Sequence, residues 1–528
     1  MKLRELLKGC DSIKGEVTKE QSLDRDISGV AYDSRKVKKG CLFVAIKGDR
    51  HDGHDFISEA ISKGAVAIVH EKEIPHNSLD NSSYVSFIRV EDSRRSLACI
   101  ANNFYGMLSR TLTLIGVTGT NGKTTTTYIL KSILESWGKE VGLIGTIQYM
   151  IKERVYPAPH TTPESLEFHG LLKDMLLAGC THVVSEISSH ALAQHRVDGA
   201  FFKVAVFTNL TRDHLDFHKT MEDYFRAKER LFRELLDSNG MCVINLDDPY
   251  GKRLISSLTE TSPDFKEHIL TYGIDESADI VAREIQGSHK ELSFRISFRG
   301  RNHDVTSLLI GMPNVYNIMS AVGVSVSLGV PWQTILEGLR KIESVKGRFE
   351  SVELGQTFSC IIDYAHTEDA LERLISTARE FATHDSVFSN QQSLCRIITV
   401  FGCGGDRDRS KRPKMGEVAT RLSDFVIITS DNPRSEEPGD IIREIETGAV
   451  RRNYIVEPDR KEAIKKAIDM AGDRDIVLIA GKGHEDYQEI EGKRYRFNDR
   501  EIVEEAIKRK QRDQGDDEVI VNIQGKTW

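Results

Sequence analysis

Short apolar runs alternate with helix-length amphipathic stretches along most of this chain, and the alternation predicts its elements. CLFVAI (41–46) and AVAIV (65–69) read as strands between helical segments, giving a small α/β unit over residues 1–107. A second block, 108–344, carries TLTLIGV (111–117), THVVSEIS (181–188), KVAVFTNL (203–210) and MCVINLDD (241–248). Helical stretches between these runs predict a mainly parallel sheet with crossover helices. A third block, 345–510, opens in VKGRFE and carries CIIDYA (360–365), RIITVFG (396–402), FVIITSD (425–431) and DIVLIAG (475–481), the pattern of a second, Rossmann-like doubly wound sheet. Between two of these strands THDSVFSNQQSL (383–394) is polar and unpatterned, and reads as a loop insertion. The tail, 511–528, regains a short apolar run after charged residues and reads as either an added strand or a loose end.

The fold class is therefore α/β with three domains, which suits a chain of 528 residues, too long for one core. A formal charge of −8, from 72 basic and 80 acidic residues without long runs of either sign, argues against nucleic acid or an anionic membrane as partner. No stretch approaches the ~20 apolar residues of a membrane span, and MKLRELLKGCDSIKG lacks a signal-peptide core, so a cytoplasmic protein is expected. Its 8 cysteines include no Cys-x-x-Cys pair, and are expected to be small buried hydrophobes rather than zinc ligands or disulfide partners.

Chemistry enters at TGTNGKTTTTYIL (118–130), where the strand 111–117 runs through glycines into a stretch with Ile129, Leu130, Ile133, Leu134 and Trp137 at helical spacing. Unpaired N–H groups at a helix start make a cradle for phosphate, which Lys123 completes with a full charge. The spacing departs from the usual phosphate-loop pattern, which places four residues between its first glycine and the Gly-Lys pair; Gly116 has five and Gly119 has two. The central sheet is thus expected to be of the phosphate-loop ATPase kind, with the Thr124 hydroxyl facing a magnesium ion. Glu186, Asp213 and His214 fall at ends of predicted strands and Lys228 on the next helix, hard ligands and charges of the sort magnesium and phosphate require. Taken singly, each also admits a locally satisfied structural role.

TGTNGKTTT, EISSHALAQHRV, TNLTRDHLDFH, GMPNVYNIMSA, VKGRFE, DYAHTEDAL, GCGGDRDRSKRP, DNPRSEEP and GKGHEDYQ together resemble the Mur ligases of peptidoglycan synthesis, in the right order from about Asp33 to about Asn498. Folylpolyglutamate synthase shares the phosphate loop, but the third-block motifs point away from it. The resemblance, greatest to the branch that adds the third amino acid, implies an ATP-dependent amide ligase. It would join meso-diaminopimelate to UDP-N-acetylmuramoyl-L-alanyl-D-glutamate through an acyl phosphate, acting as a monomer.

Position by position, the resemblance implies that Gly119, Thr120, Asn121, Gly122, Lys123, Thr124 and Thr125 hold the ATP phosphates. Thr124 and Glu186 would hold one Mg2+ and His214 a second, with Lys228 carried as a carbamate; the residue pattern alone would equally place Lys228 on a solvated helix face. Asn314, Asn317, Arg348 and Asp363 match nucleotide contacts. Ser34 matches the uridine-diphosphate end, and Thr161, Thr162, Ser188, Gln194 and Arg196 match the muramoyl-peptide contacts. For diaminopimelate the match is to Arg407, Asp431, Asn432, Pro433, Arg434, Gly481 and Glu485, with Arg434 on the distal carboxylate. Glu368 stands where a proline is common in the family. Lys123→Ala is expected to abolish ligation while leaving the protein folded, and near-normal turnover of that variant would remove the phosphate-loop assignment.

Overall fold

The computed structural model describes residues 1–10, 23–48, 51–73, 84–275, 277–287, 291–387 and 395–524. Three parallel-based sheets follow one another along the chain. The first is four-stranded and wholly parallel, built from Gly29–Ala31, Cys41–Val44, Ala67–His70 and Ser86–Arg89. The central sheet has eleven strands. Its parallel interior includes Leu236–Asn245, Phe202–Phe207, Thr113–Thr118, His182–Glu186 and Val141–Ile144, in that spatial order. Antiparallel strands extend it at both edges: Leu292–Phe298 and Arg301–Ser307 on one side, Gln148–Ile151 and Arg154–Pro157 on the other. Those edge strands are alternating or polar rather than continuously apolar, so they carry little of the buried-strand signal. The third sheet is six-stranded, and only its edge strand Glu350–Ser351 runs antiparallel.

The phosphate-loop helix, Lys123–Ser136, packs its apolar face into the central core. Its Ile129, Leu130, Ile133 and Leu134 are all inaccessible to solvent and join Val315, Ile318, Met319 and Val322 of the helix Met312–Ser327 in one core. Burial of each such side chain is worth about 1.5–3 kcal/mol.

Three expectations change. The loop expected over 383–394 begins as helix, since Glu368–Val387 is continuous; residues 388–394 lie outside the described residues. The helix runs on past the point where polar composition read as loop. The tail is helical through Gln524, the end of Asp499–Gln524, rather than strand or loose end; 525–528 lie outside the described residues. Finally, Cys10 and Cys99 form a disulfide, their Cα atoms 5.7 Å apart, because the core brings the N-terminal segment against the helix Ser93–Tyr105 across a separation of 89 residues. Cys41, Cys180, Cys242, Cys360 and Cys403 are buried as expected. Among the described residues no helix is long and apolar enough to cross a membrane.

The C-terminal helix is fastened by a wholly buried ion pair. Arg460 donates from Nε and Nη2 to the Asp499 carboxylate at 2.9 and 2.7 Å, and from Nη2 to the Ala480 carbonyl at 3.0 Å. Removing one partner strands the other charge in the core. Asp499→Ala is therefore expected to lower stability by about 3–5 kcal/mol in denaturant unfolding, and the Arg460→Leu/Asp499→Leu pair to lower it less.

Candidate active site

Strand register gathers the site. Val117 pairs with Glu186 on one side of the central strand and Thr118 with Phe207 on the other, so three loops leave the carboxyl end of the sheet together. They are the phosphate loop, the turn after Glu186, and the segment 208–214. Such ends form the ligand crevice of an open α/β sheet. Here they line a cavity of about 690 Å³ whose opposite wall comes from the third block, through Arg348, Asp363, Tyr364 and His366.

Gly119 has a φ of +147°, and a Cβ there would run into Thr208 Oγ1, so the loop can lie against its neighbour only with glycine. Lys123 curls back over the loop, donating to the carbonyls of Gly119 and Thr120 at 3.0 and 2.7 Å. Lys228, 1% exposed, donates to the same Gly119 carbonyl at 2.8 Å. Burial holds its pKa well below the usual lysine value and the Lys123 charge lowers it further. A neutral amine in this position is thus favoured.

Thr124 does not point freely into the cavity. Its Oγ1 donates to Glu186 Oε2 at 3.0 Å and accepts from Arg348 Nη2 at 3.1 Å. Glu186 also accepts from Thr146, through N to Oε1 and Oγ1 to Oε2, both at 2.8 Å. Thr146 escaped the sequence reading, since only register shows which loop faces Glu186. His214 has left-handed backbone, φ 55°, at the start of Leu215–His218. Its Nε2 lies 3.3 Å from Asp213 Oδ2. Burial lowers its pKa to about 3 against the pull of Asp213, leaving a neutral imidazole able to offer a lone pair.

Across the cavity, Asp363 accepts from the N–H groups of Phe349 and Ala365, both at 2.7 Å, and burial raises its pKa. Asn317 Nδ2 donates to Asn314 Oδ1 at 2.9 Å, and Asn314 Nδ2 to the Ile310 carbonyl at 2.7 Å. Asp369, not singled out beforehand although it lies within DYAHTEDAL, accepts from Asn121 Nδ2 and Thr211 Oγ1 at 3.0 Å each and so ties the third block to the phosphate loop. Glu368 starts the helix Glu368–Val387 and sits 4.0 Å from Arg212 and 3.8 Å from Lys414.

The remaining candidates fall into two further groups. Thr161 lies at 3.1 Å from Thr146, while Thr162 Oγ1 donates to the Glu186 carbonyl at 2.7 Å and accepts from Ser188 N at 3.0 Å. Arg196 continues the chain, reaching the Thr162 carbonyl at 3.0 Å and Gln194 Oε1 at 2.6 Å. Ser34 is not among the cavity-lining residues; its Oγ bonds Glu59 within the first block. That block meets this group through Glu164, which lies 2.6 Å from Arg94 and 3.7 Å from Arg196.

The second group surrounds the ends of strands 397–401, 425–428 and 476–480. Gly481 has a φ of +115°, and a Cβ there would lie 2.6 Å from Asp431 Oδ2. Asn432 donates to Glu485 Oε2 at 2.8 Å. Arg434 donates to the Gly405 carbonyl at 2.5 Å, and a Cβ on Gly404 would meet Arg434 Nη1 at 2.9 Å and Arg407 Cγ at 3.9 Å, so both arginines border one small surface. Pro433 is buried and Arg407 is exposed. Buried Arg412 fixes this loop by paired bonds to Glu436 at 2.9 and 2.8 Å, and those bonds lower the Glu436 pKa to about 2.

Comparison with known proteins matches "Mur ligase family, catalytic domain" over residues 26–105, "Mur ligase middle domain" over 117–325 and "Mur ligase, glutamate ligase domain" over 347–483. The UDP-N-acetylmuramoyl-L-alanyl-D-glutamate--2,6-diaminopimelate ligase of Caldanaerobacter subterraneus subsp. tengcongensis is 46% identical over 511 residues, 96% of this chain and 99% of its own. The chain belongs to the Mur ligase family. A solved structure of a ligase with that same name superposes with a TM-score of 0.66 at 32% identity, covering 97% of this chain and 99% of the other. The MurF ligase from Thermotoga maritima in complex with ADP shares the fold, with a TM-score of 0.59 at 22% identity, over 93% of this chain and 99% of its own.

Whether this Mur ligase could hold magnesium is testable on its donor set. Among the described residues no cluster of three or more His, Cys, Asp or Glu side chains converges. Magnesium, however, keeps waters and takes one or two carboxylates beside substrate phosphates. Glu186, the Thr124 hydroxyl and neutral His214 beside the phosphate loop fit that use. A carbamate on Lys228 would add a carboxylate-like oxygen pair, and the suppressed basicity of the amine favours its reaction with carbon dioxide. Lys228→Ala is expected to cut ligation roughly 10²–10³-fold, with partial recovery on adding short-chain carboxylic acids. Full activity without additives would dismiss the carbamate.

Proposed function

We propose that the chain forms the amide bond between meso-diaminopimelate and the D-glutamyl carboxylate of UDP-N-acetylmuramoyl-L-alanyl-D-glutamate, consuming ATP and releasing ADP and phosphate. The observation that carries this reading is the meeting of Lys123, Glu186, His214 and Lys228 in one cavity with Arg348 and Asp363 opposite. Full-length similarity to ligases of that name supports it.

A carboxylate resists attack by an amine until one of its oxygens becomes a leaving group. In the reaction proposed, a substrate carboxylate oxygen attacks the γ-phosphorus of ATP, the bond to ADP breaks, and an acyl phosphate forms. The diaminopimelate amine then attacks the acyl carbon, phosphate departs with its bonding electrons, and the nitrogen loses a proton. Lys123 neutralises the β- and γ-phosphates as the anions approach, and backbone N–H groups from Gly119 to Thr125 cradle them. Arg348, already within reach of Thr124, brings a second cation from the third block. Magnesium bound by Thr124, Glu186, His214 and the Lys228 carbamate would further screen the crowded anions. Thr161, Thr162, Ser188, Gln194 and Arg196 seat the muramoyl dipeptide, Arg196 offering a donor fork to a carboxylate. Ser34 belongs to the uridine end.

Discrimination between diaminopimelate and lysine rests on Arg434, while Arg407 holds the carboxylate that both amino acids share. Both substrates carry a distal ammonium, but only diaminopimelate carries a distal carboxylate. Lysine would leave Arg434 with only the Gly405 carbonyl and Glu489, 3.6 Å away, and would bring an ammonium without the carboxylate that offsets it. The expected preference for meso-diaminopimelate is roughly a thousandfold in kcat/KM, and Arg434→Ala should erase most of it. An amino-acid panel with phosphate release as readout checks both; equal use of lysine by the wild type would overturn the specificity. Release without the sugar nucleotide or the amino acid would overturn the ligase reading.

A further inference from the structure

Lys482 is fully buried, yet none of the steps above uses it. It follows Gly481 at the end of the strand Ile476–Ala480, and its Nζ donates to Asn432 Oδ1 at 3.0 Å and Glu485 Oε2 at 3.1 Å. Asn432 Nδ2 takes the same Glu485 oxygen, while Asn432 Oδ1 also accepts from Glu489 N at 2.9 Å. Both donors to the carboxylate therefore use Oε2, and among the described residues none takes Oε1. Asp431 faces the cluster from across Gly481. The other buried cation nearby, Arg460, is committed to Asp499 and the Ala480 carbonyl.

Formal charges make the arrangement informative. Asp431 and Glu485 supply two carboxylates against the single ammonium of Lys482, so the cluster is one positive charge short. Burying an uncompensated anion is costly, and an arriving ammonium would relieve it. Burial and the Asp431 charge raise the Glu485 pKa, whereas Lys482 and Asn432 lower it. Tyr364, Tyr487 and, although its hydrogen bonds go to Asp499 and Ala480, Arg460 are other titratable groups that sense this carboxylate.

We infer that Lys482 is a positioning residue for the amino-acid substrate, clamping Asn432 and Glu485 through Oε2 so that Oε1 is presented to an ammonium of the incoming diamino acid. The inference rests on the diaminopimelate reading given above. Lys482 touches no substrate atom in this role; it fixes the rotamer and charge of the groups that do.

The test is steady-state kinetics of the full-length enzyme carrying Lys482→Met, Glu485→Gln and both together. Lys482→Met should raise KM for diaminopimelate roughly 30-fold while leaving KM for ATP and for the sugar nucleotide within about threefold. The ratio of that KM to the wild-type value should fall as pH rises from about 6 to about 9, because Glu485 without its cation needs a higher pH to ionise. In the Glu485→Gln background the same lysine change should cost much less than 30-fold. A diaminopimelate KM that is unchanged, that rises equally with those of the other substrates, or that is additive in the double variant would overturn the inference. If Lys482→Met fails to fold, Lys482→Arg replaces it: the retained charge should keep the pH profile of the wild type, and a shifted profile would count against the role. Wild-type enzyme that ligates no diaminopimelate would instead defeat the underlying reading, so the failures are separable.

Discussion

Two lysine amines share one acceptor in this protein, and much of the site follows from that. Lys123 and Lys228 both donate to the Gly119 carbonyl, at 3.0 and 2.8 Å, in a region largely withdrawn from water. Two ammonium ions cannot converge on one carbonyl oxygen at low dielectric without a large repulsion. The strain is relieved by neutralising one amine, by bringing in an anion, or by both. Burial lowers the pKa of both amines, and that of Lys228 well below the usual lysine value with the Lys123 charge lowering it further.

Closure across the cavity depends on a few polar links between sheets that share no strand. Asp369 receives Asn121 and Thr211, Arg348 reaches Thr124, and Arg212 Nη2 donates to Ser410 Oγ at 3.0 Å. All three involve residues of the phosphate loop or the segment before His214. These links are polar, and apolar packing crosses the same boundary, since Ile310 joins the buried core of the third sheet and Val345 that of the central one. Glu368 adds charge to the same seam, standing between Arg212 and Lys414.

Much of this was legible beforehand. Four interior strands of the central sheet and four of the third lie within a few residues of the apolar runs that announced them, because a strand buried on both faces must be apolar throughout, whereas the parallel strands Val141–Ile144 and Ile269–Gly273 went unread. The antiparallel strands at the edges of the central sheet went unread, since solvent on one or both faces allows polar residues. The continuation of helix through Val387 and through Gln524 was read as loop and as strand or loose end, because a polar stretch without clear apolar periodicity does not distinguish helix from loop.

By itself the sequence determined the doubly wound α/β character, the glycine-lysine turn after a buried strand, and the motifs shared with Mur ligases, since each is a local pattern of side-chain type. Tertiary structure decided what faces what. The pairing of Val117 with Glu186 put the carboxylate beside Thr124, and Thr146 entered the same network from a third loop. It also joined Cys10 to Cys99 and buried Lys482 against Asn432 and Glu485. The reason is physical: hydrophobic periodicity fixes which face of an element turns inward, but the partners met there, and so the desolvation and charge each group experiences, are set by register and packing between segments far apart in the chain.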